Sequence, residues 1–223
     1  MEPLEVYNIL YRCYGARGWW PLIRRGGEYP RYFVRLKGKN QLFEVAVGAV
    51  LTQNTSWKNA ARAVSELSRT GNLTPRRILE LDQGVLAEII RSSGYYNMKA
   101  RKLKALARYF ESTETITRES LLAVHGIGPE TADSIILYGL GEPSFVVDAY
   151  TRRIFSRLGS LKETDRYEEV KRYFESRLPA DPALFGEYHA LIVEHAKRFC
   201  RKRPLCEGCP LREICLFEPA DSD

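Results

Sequence analysis

The chain has 223 residues, 44% of them hydrophobic, with 34 lysines and arginines against 28 acids and a net charge of +6. That length buries one large core or two modest ones, and that hydrophobic share excludes a disordered chain. No apolar run reaches the about eighteen residues of a membrane span, and the basic excess favours a polyanionic partner.

The opening MEPLEVYN has no charged segment followed by an apolar one, so a cytoplasmic protein is expected. Residues 3 to 16 place Leu4, Tyr7, Leu10, Tyr11 and Tyr14 at helical spacing, which predicts an amphipathic first helix with Cys13 in the core. GWWPLIRR follows, a loop whose Trp19 and Trp20 either cover the core or offer a stacking surface. From Leu42 to Leu51 the sequence is apolar almost all round, the pattern of a buried central helix. Thr52, Gln53, Asn54 and Thr55 then gather amide and hydroxyl groups, suited either to a turn or to hydrogen bonds with bases of a distorted duplex.

Residues 57 to 69 predict another amphipathic helix. Thr74-Pro75 opens the next as N-cap and first-turn proline, and Asp82 caps a further one with Leu86, Ile89 and Ile90 inward. After Gly94-Tyr95-Tyr96-Asn97, the segment MKARKLKALARYF sets Leu103, Leu106 and Phe110 on one face. Lys99, Arg101, Lys102, Lys104 and Arg108 surround the other.

Leu121 to Arg153 reads LLAVHGIGPETADSIILYGLGEPSFVVDAYTRR. Gly126 and Gly128 are expected to take positive φ and reverse the chain, and Pro129 starts a new helix. The free amides of such a hairpin, with His125, Gly126 and Gly128 at its mouth, suit a phosphate oxygen. Asp148 follows Phe145, Val146 and Val147. A carboxylate there is costly unless something holds or uses it, as an N-cap, as a chemical group, or as both. Arg152, Arg153 and Arg157 give a basic helical face beside it. Arg166 to Phe174 and Pro182 to Phe199 read as two more helices, the second begun by Asp181-Pro182. No segment alternates as a strand, so the fold class is all-α.

Cys200, Cys206, Cys209 and Cys215 form C-x5-C-x2-C-x5-C. Four thiolates this close need a cation to offset their repulsion. Zinc and an iron-sulfur cluster both accept four thiolates, and zinc ribbons usually offer two C-x2-C pairs where this chain has one.

The hairpin-to-Asp148 block resembles the helix-hairpin-helix DNA glycosylases of the endonuclease III superfamily, and the resemblance covers most of the chain. It implies two helical domains flanking a DNA-binding cleft: residues 34–142, with the hairpin at 121–140, and residues 1–33 plus 143–223, with an iron-sulfur loop at 200–215. GYYNMKA is similar to the family's G-x-Y-N-x-K-A turn, which precedes a helix close to DNA and gives Lys99 a contact there. Gln53 inherits the role of filling the gap left by an extruded base, with Asn54 beside it, and Arg152 joins the DNA-facing set. The cysteines resemble the family's C-terminal 4Fe-4S motif, although the first gap is five residues here and commonly six in the family; zinc is the alternative.

Bifunctional members carry a lysine two residues after the hairpin's second glycine, where this chain has Glu130, and a carboxylate forms no Schiff base. WWP, F-E-x-x-x-G-A-V-L-T-Q-N-T, G-I-G-x-E-[ST]-A-D and I-V-E-x-x-K together resemble the 3-methyladenine DNA glycosylase branch. That branch implies a base pocket built from Trp19, Trp20, Phe43, Lys197 and Glu130. The implied activity is monofunctional: flipping an alkylated purine such as 3-methyladenine out of double-stranded DNA and hydrolysing its glycosidic bond with Asp148, in base excision repair. A monomer acting on DNA in a prokaryotic cytoplasm is expected. Two other readings stand beside it. One is an endonuclease III-like glycosylase and AP lyase for oxidised pyrimidines, with Lys99 or Lys197 as the amine. The other is a non-catalytic DNA-binding module with a structural metal cluster.

Overall fold

The structure, a computed structural model, describes residues 1–23, 27–33, 36 and 38–218. Arg24 and Arg25 of the GWWPLIRR loop lie outside the described residues, as does Val34, where the sequence suggests a domain boundary. The fold is all-α. Among the described residues extended pairing is limited to one isolated bridge, Leu22 with Arg31, and no helix is long and apolar enough to cross a membrane.

The chain divides into two units, Trp20–Gly141 and Met1–Trp19 with Glu142–Asp223. The first junction falls at Trp19/Trp20 and not at 33/34. The reason is packing: Trp20 meets Trp57 edge-on at 5.1 Å and Tyr138 at 5.3 Å, and the Ile23 amide donates to Glu44 at 2.6 Å. The loop after Trp19 is thereby part of the unit that contains those partners.

Within Trp20–Gly141, helix α2 (Lys39–Thr52) is buried on all sides from Phe43 to Leu51, as its unbroken apolar run requires. Gly48 sits under Trp20; a Cβ there would lie 2.9 Å from the indole Cζ2. Against α2 pack α3 (Trp57–Arg69) and α6 (Tyr96–Ser112), and α6 in turn carries α4 (Pro75–Glu80) and α5 (Gln83–Ile89). Each short helix begins where its cap dictates. Ser56 Oγ accepts from the Asn59 amide, Thr74 Oγ1 from Arg77, and Asp82 Oδ1 from Gly84 and Val85. The hairpin joins α7 (Arg118–Leu122) to α8 (Pro129–Ser134), which runs on as a π turn over Ile135–Leu140 and stops at Gly141, φ 71°.

The other unit comprises α1 (Pro3–Tyr14), α9 (Ala149–Arg157), α10 (Tyr167–Glu175) and α11 (Pro182–Arg198), then the cysteine loop. Its core is aromatic: Phe145 stacks on Phe174 at 4.1 Å, with Phe185 and Tyr188 edge-on to Phe145. The buried stripe of α1 is Pro3, Val6 and Leu10. Leu4, Tyr11 and Cys13, expected inward, are exposed, because the aliphatic stripe packs toward α11 while the tyrosine rings, each with a polar tip, lie along its edges.

Candidate active site

Asp148 opens α9 as its N-cap. One carboxylate oxygen, Oδ1, accepts from the Thr151 amide at 2.7 Å and the Thr151 hydroxyl at 2.9 Å, while Oδ2 stands 3.5 Å from Nε2 of His189 on α11. The residue is 9% exposed. Burial pushes this carboxyl up, but the hydrogen bond and charge of His189 and the two bonds from Thr151 outweigh it and hold the group below the usual aspartate value. The carboxylate is therefore an anion kept charged inside the protein. Nothing local in the sequence announces His189, which lies 41 positions further along on a different helix.

The basic face expected beside Asp148 is turned to the protein's own carbonyls. Arg152 donates to Asp165 O. Arg153 donates to Cys200 O at 2.8 Å, and Arg157 to Arg201 O at 2.7 Å and Lys202 O at 3.0 Å.

At the hairpin, Gly126 has φ 83° and lies against the Lys102 side chain, which leaves no room for a Cβ. Gly128 does not take the positive φ expected of it; at φ −96°, ψ 177° it is extended and serves as the N-cap of α8. The pair of glycines thus divides the work of reversal and helix entry. His125, Gly128 and Glu130 are exposed. A half-buried ion pair fastens α7 to α8: Arg118 reaches both oxygens of the fully buried Asp133, at 2.8 and 3.1 Å.

Gln53 is tied to this hairpin. Its amide nitrogen donates to Gly126 O at 3.2 Å and to Thr131 Oγ1 at 2.9 Å, and its oxygen accepts from Lys102 Nζ at 2.5 Å. Its neighbour Asn54 is exposed and left-handed, φ 53°, as is Tyr95, φ 48° and 64% exposed. Lys99, expected on the polar face of α6, is buried. Its amine donates to Leu51 O and Ser93 O, each at 2.7 Å, so it braces the loops that carry Asn54 and Tyr95. Burial, with the nearby charge of Lys102, lowers its pKa to about 8.

The expected base-pocket residues are placed unevenly. Phe43 is wholly buried, edge-on to Phe110 at 5.1 Å, and so is a core residue. Trp19 and Trp20 are half-buried, and Lys197 is exposed on α11.

Cys200, Cys206, Cys209 and Cys215 line one apolar hollow with Ile154 and Leu158. None of the four is in a disulfide. Burial raises the Cys209 thiol and the other three cysteines push it the same way, against the bond it receives from the Leu211 amide. Among the described residues no group of three or more His, Cys, Asp or Glu side chains is gathered tightly enough to hold one metal ion.

An all-helical chain with a glycine hairpin between two helices, and a buried carboxylate capping a later helix, has the make-up of a helix-hairpin-helix DNA glycosylase. Residues 47–180 match the HhH-GPD superfamily of base excision DNA repair proteins, and the chain belongs to that family. A Methanocaldococcus jannaschii protein named as a DNA repair glycosylase is 45% identical, covering 95% of this chain and 94% of its own length. Endonuclease III of Sulfolobus acidocaldarius is 32% identical, covering 85% of this chain and 88% of its own. Among solved structures, H. pylori 3-methyladenine DNA glycosylase bound to 1,N6-ethenoadenine superposes with a TM-score of 0.72 at 26% identity, over 89% of this chain and 98% of that one. The protein is a DNA glycosylase of base excision repair, a hydrolase acting on N-glycosyl bonds.

Proposed function

We propose that this glycosylase removes alkylated purines such as 3-methyladenine and leaves the strand intact, with Asp148 as its catalytic residue. The observation that carries the reading is the state of Asp148: a carboxylate held charged, with Oδ1 engaged by Thr151 and Oδ2 turned to His189. Cleavage of the C1′–N bond leaves its electron pair on the base and positive charge on the sugar, and a fixed anion stabilises that charge. Water then adds at C1′ and passes a proton to the carboxylate. An N-alkylated purine is cationic before cleavage and leaves neutral, so this chemistry requires no second acid.

The absence of lyase chemistry rests on two amines and a carboxylate. Glu130 occupies the position of the lysine in bifunctional members and cannot form an imine. Lys99 has its amine bound to two backbone carbonyls, a poor state for a nucleophile. Lys197 is exposed and is the amine to test. The 32% identity to an endonuclease III favours a second reading, excision of oxidised pyrimidines with strand cleavage.

DNA would be gripped by the hairpin amides around His125, Gly126 and Gly128, with exposed Asn54 and Tyr95 meeting the bases. The hollow fits a 4Fe-4S cluster. It brings four cysteines to one apolar space, Arg157 donates to Cys200 Sγ at 3.2 Å, and a single C-x2-C pair suits an iron-sulfur cluster better than a zinc ribbon. Such a cluster shapes the loop and presents Arg201, Lys202 and Arg203 to phosphates.

The deciding experiment gives the protein, as a monomer, duplexes carrying 3-methyladenine, ethenoadenine or an oxidised pyrimidine, and measures base release, strand cleavage and borohydride trapping separately. Release of alkylated purine with no cleavage and no adduct is expected. A trapped adduct on an oxidised pyrimidine, lost in Lys197→Ala, would establish the second reading instead.

A further inference from the structure

Between α1 and the cysteine loop runs a hydrogen-bonded chain that neither the proposed base excision nor the grip on DNA employs. His195 on α11 is 1% exposed. Its ring stacks on Phe199 at 5.8 Å. Nδ1 lies 2.9 Å from the Tyr14 hydroxyl, and Nε2 lies 3.7 Å from Cys209 Sγ. Tyr14, the last residue of α1, is itself held by Arg198, whose guanidinium sits 5.1 Å over its ring.

We propose that Tyr14 and His195 form a directed donor chain to the Cys209 thiolate, and that this chain tunes the electron affinity of the iron-sulfur cluster. The inference rests on the reading that the four cysteines hold that cluster. A metal-bound thiolate has no hydrogen and can only accept. A neutral imidazole carries one hydrogen, and the other ring nitrogen decides which atom bears it. If Nδ1 held the hydrogen, the Nε2 lone pair would face the sulfur anion. With the hydrogen on Nε2, His195 donates to Cys209 and the Tyr14 hydroxyl donates to Nδ1, and both contacts are satisfied. Tyr14 is a positioning residue: it acts through the histidine by fixing the tautomer, as hydrogen-bond partners of metal-site histidines do.

Two of the four sulfurs therefore take a side-chain donor, Cys209 from His195 and Cys200 from Arg157. A donor on a ligand sulfur draws off negative charge and favours the electron-richer state of a cluster, which raises its reduction potential. Such donors differ from packing in one testable respect: they act on the cluster's electronic properties even when cluster content and fold are unchanged.

The test uses the full chain, reconstituted anaerobically with iron and sulfide, as wild type, Tyr14→Phe and His195→Leu. Iron and sulfide content, midpoint potential by redox titration, and Fe–S stretching bands in light and heavy water are measured. All three proteins are expected to load fully. The potential should shift negative in His195→Leu, and less far in the same direction in Tyr14→Phe, with the solvent-isotope effect on the stretching bands reduced in that order. Loaded variants with the wild-type potential and bands would overturn the donor chain and leave the cluster reading intact. A wild type that takes up no iron or sulfide, or only zinc, would overturn both. Tyr14→Phe, which removes one oxygen and keeps the ring, decides the matter if His195→Leu fails to load.

Discussion

Asp148 and Gln53 are both polar residues at a helix end, and they use their side chains differently. Gln53 has its amide nitrogen on Gly126 O and Thr131 and its oxygen on Lys102, so each of its polar atoms is engaged within the protein. Asp148 gives Oδ1 to Thr151 and keeps Oδ2 facing an imidazole at 3.5 Å. A neutral amide bonded on every side fixes shape. A carboxylate whose second oxygen faces an imidazole also keeps its charge for chemistry, and fold and reaction are thereby separable on a single residue.

That separation predicts the largest effect. Asparagine caps a helix as well as aspartate does but carries no charge, so Asp148→Asn should leave the urea midpoint nearly unchanged while single-turnover base release falls by ~10^3-fold and duplex affinity stays within a few-fold. A variant that unfolds more easily and still releases base would assign Asp148 to the cap alone.

Next in size is the ion pair that fastens the hairpin helices. Arg118→Met leaves the carboxylate of Asp133 buried without its main counter-charge, and loss of one partner of such a pair costs about 3 kcal/mol. Urea denaturation should show this, with hairpin-dependent DNA binding weakened in parallel. Unchanged stability would mean that the hairpin is held by packing alone.

Glu44 supplies the contrast within carboxylates. Burial drives it up to about 7, against the opposing bond from the Ile23 amide, where Asp148, with more partners, is driven down. A raised carboxyl holds its proton longer in the folded state than in the unfolded one, so stability from this group falls as pH rises from the unfolded value near 4.5 through 7. Glu44→Gln keeps an acceptor for the Ile23 amide and removes the charge. Its melting point should match wild type at about pH 4 and exceed it at pH 8, by about 3 kcal/mol in stability; equal curves at pH 8 would show that Glu44 stays charged without cost.

How much of this was legible beforehand depended on the range of each interaction. The caps at Thr74, Asp82, Asp148 and Asp181 were readable because a cap and its amides lie within three residues. The buried α2 was readable from its own composition. Partners distant in sequence were not: His189 with Asp148, Glu44 with the Ile23 amide, Asp133 with Arg118. The burial of Lys99 and of Phe43 was hidden for the same reason. A lysine at a polar position of one helix looks solvated until the ends of two other segments present carbonyls to it, and a phenylalanine looks like a pocket wall until Phe110 covers it.

Gln53 offers the smallest effect and the finest discrimination. The family resemblance makes it a filler of the gap left by an everted base, while the geometry makes it a strut of the hairpin, and the two roles respond differently to Gln53→Ala. A filler contributes only when a base has left the stack, so its removal should weaken binding to lesion duplexes, spare undamaged duplex and leave stability alone. A strut holds the loop that meets phosphates in any sequence. Its removal leaves Gly126 O, Thr131 and Lys102 to water, costs about 1 kcal/mol in urea denaturation, and weakens damaged and undamaged duplexes by the same factor. The contacts to Gly126 and Lys102 favour the strut, and a lesion-specific loss with an unshifted urea midpoint would return Gln53 to the gap.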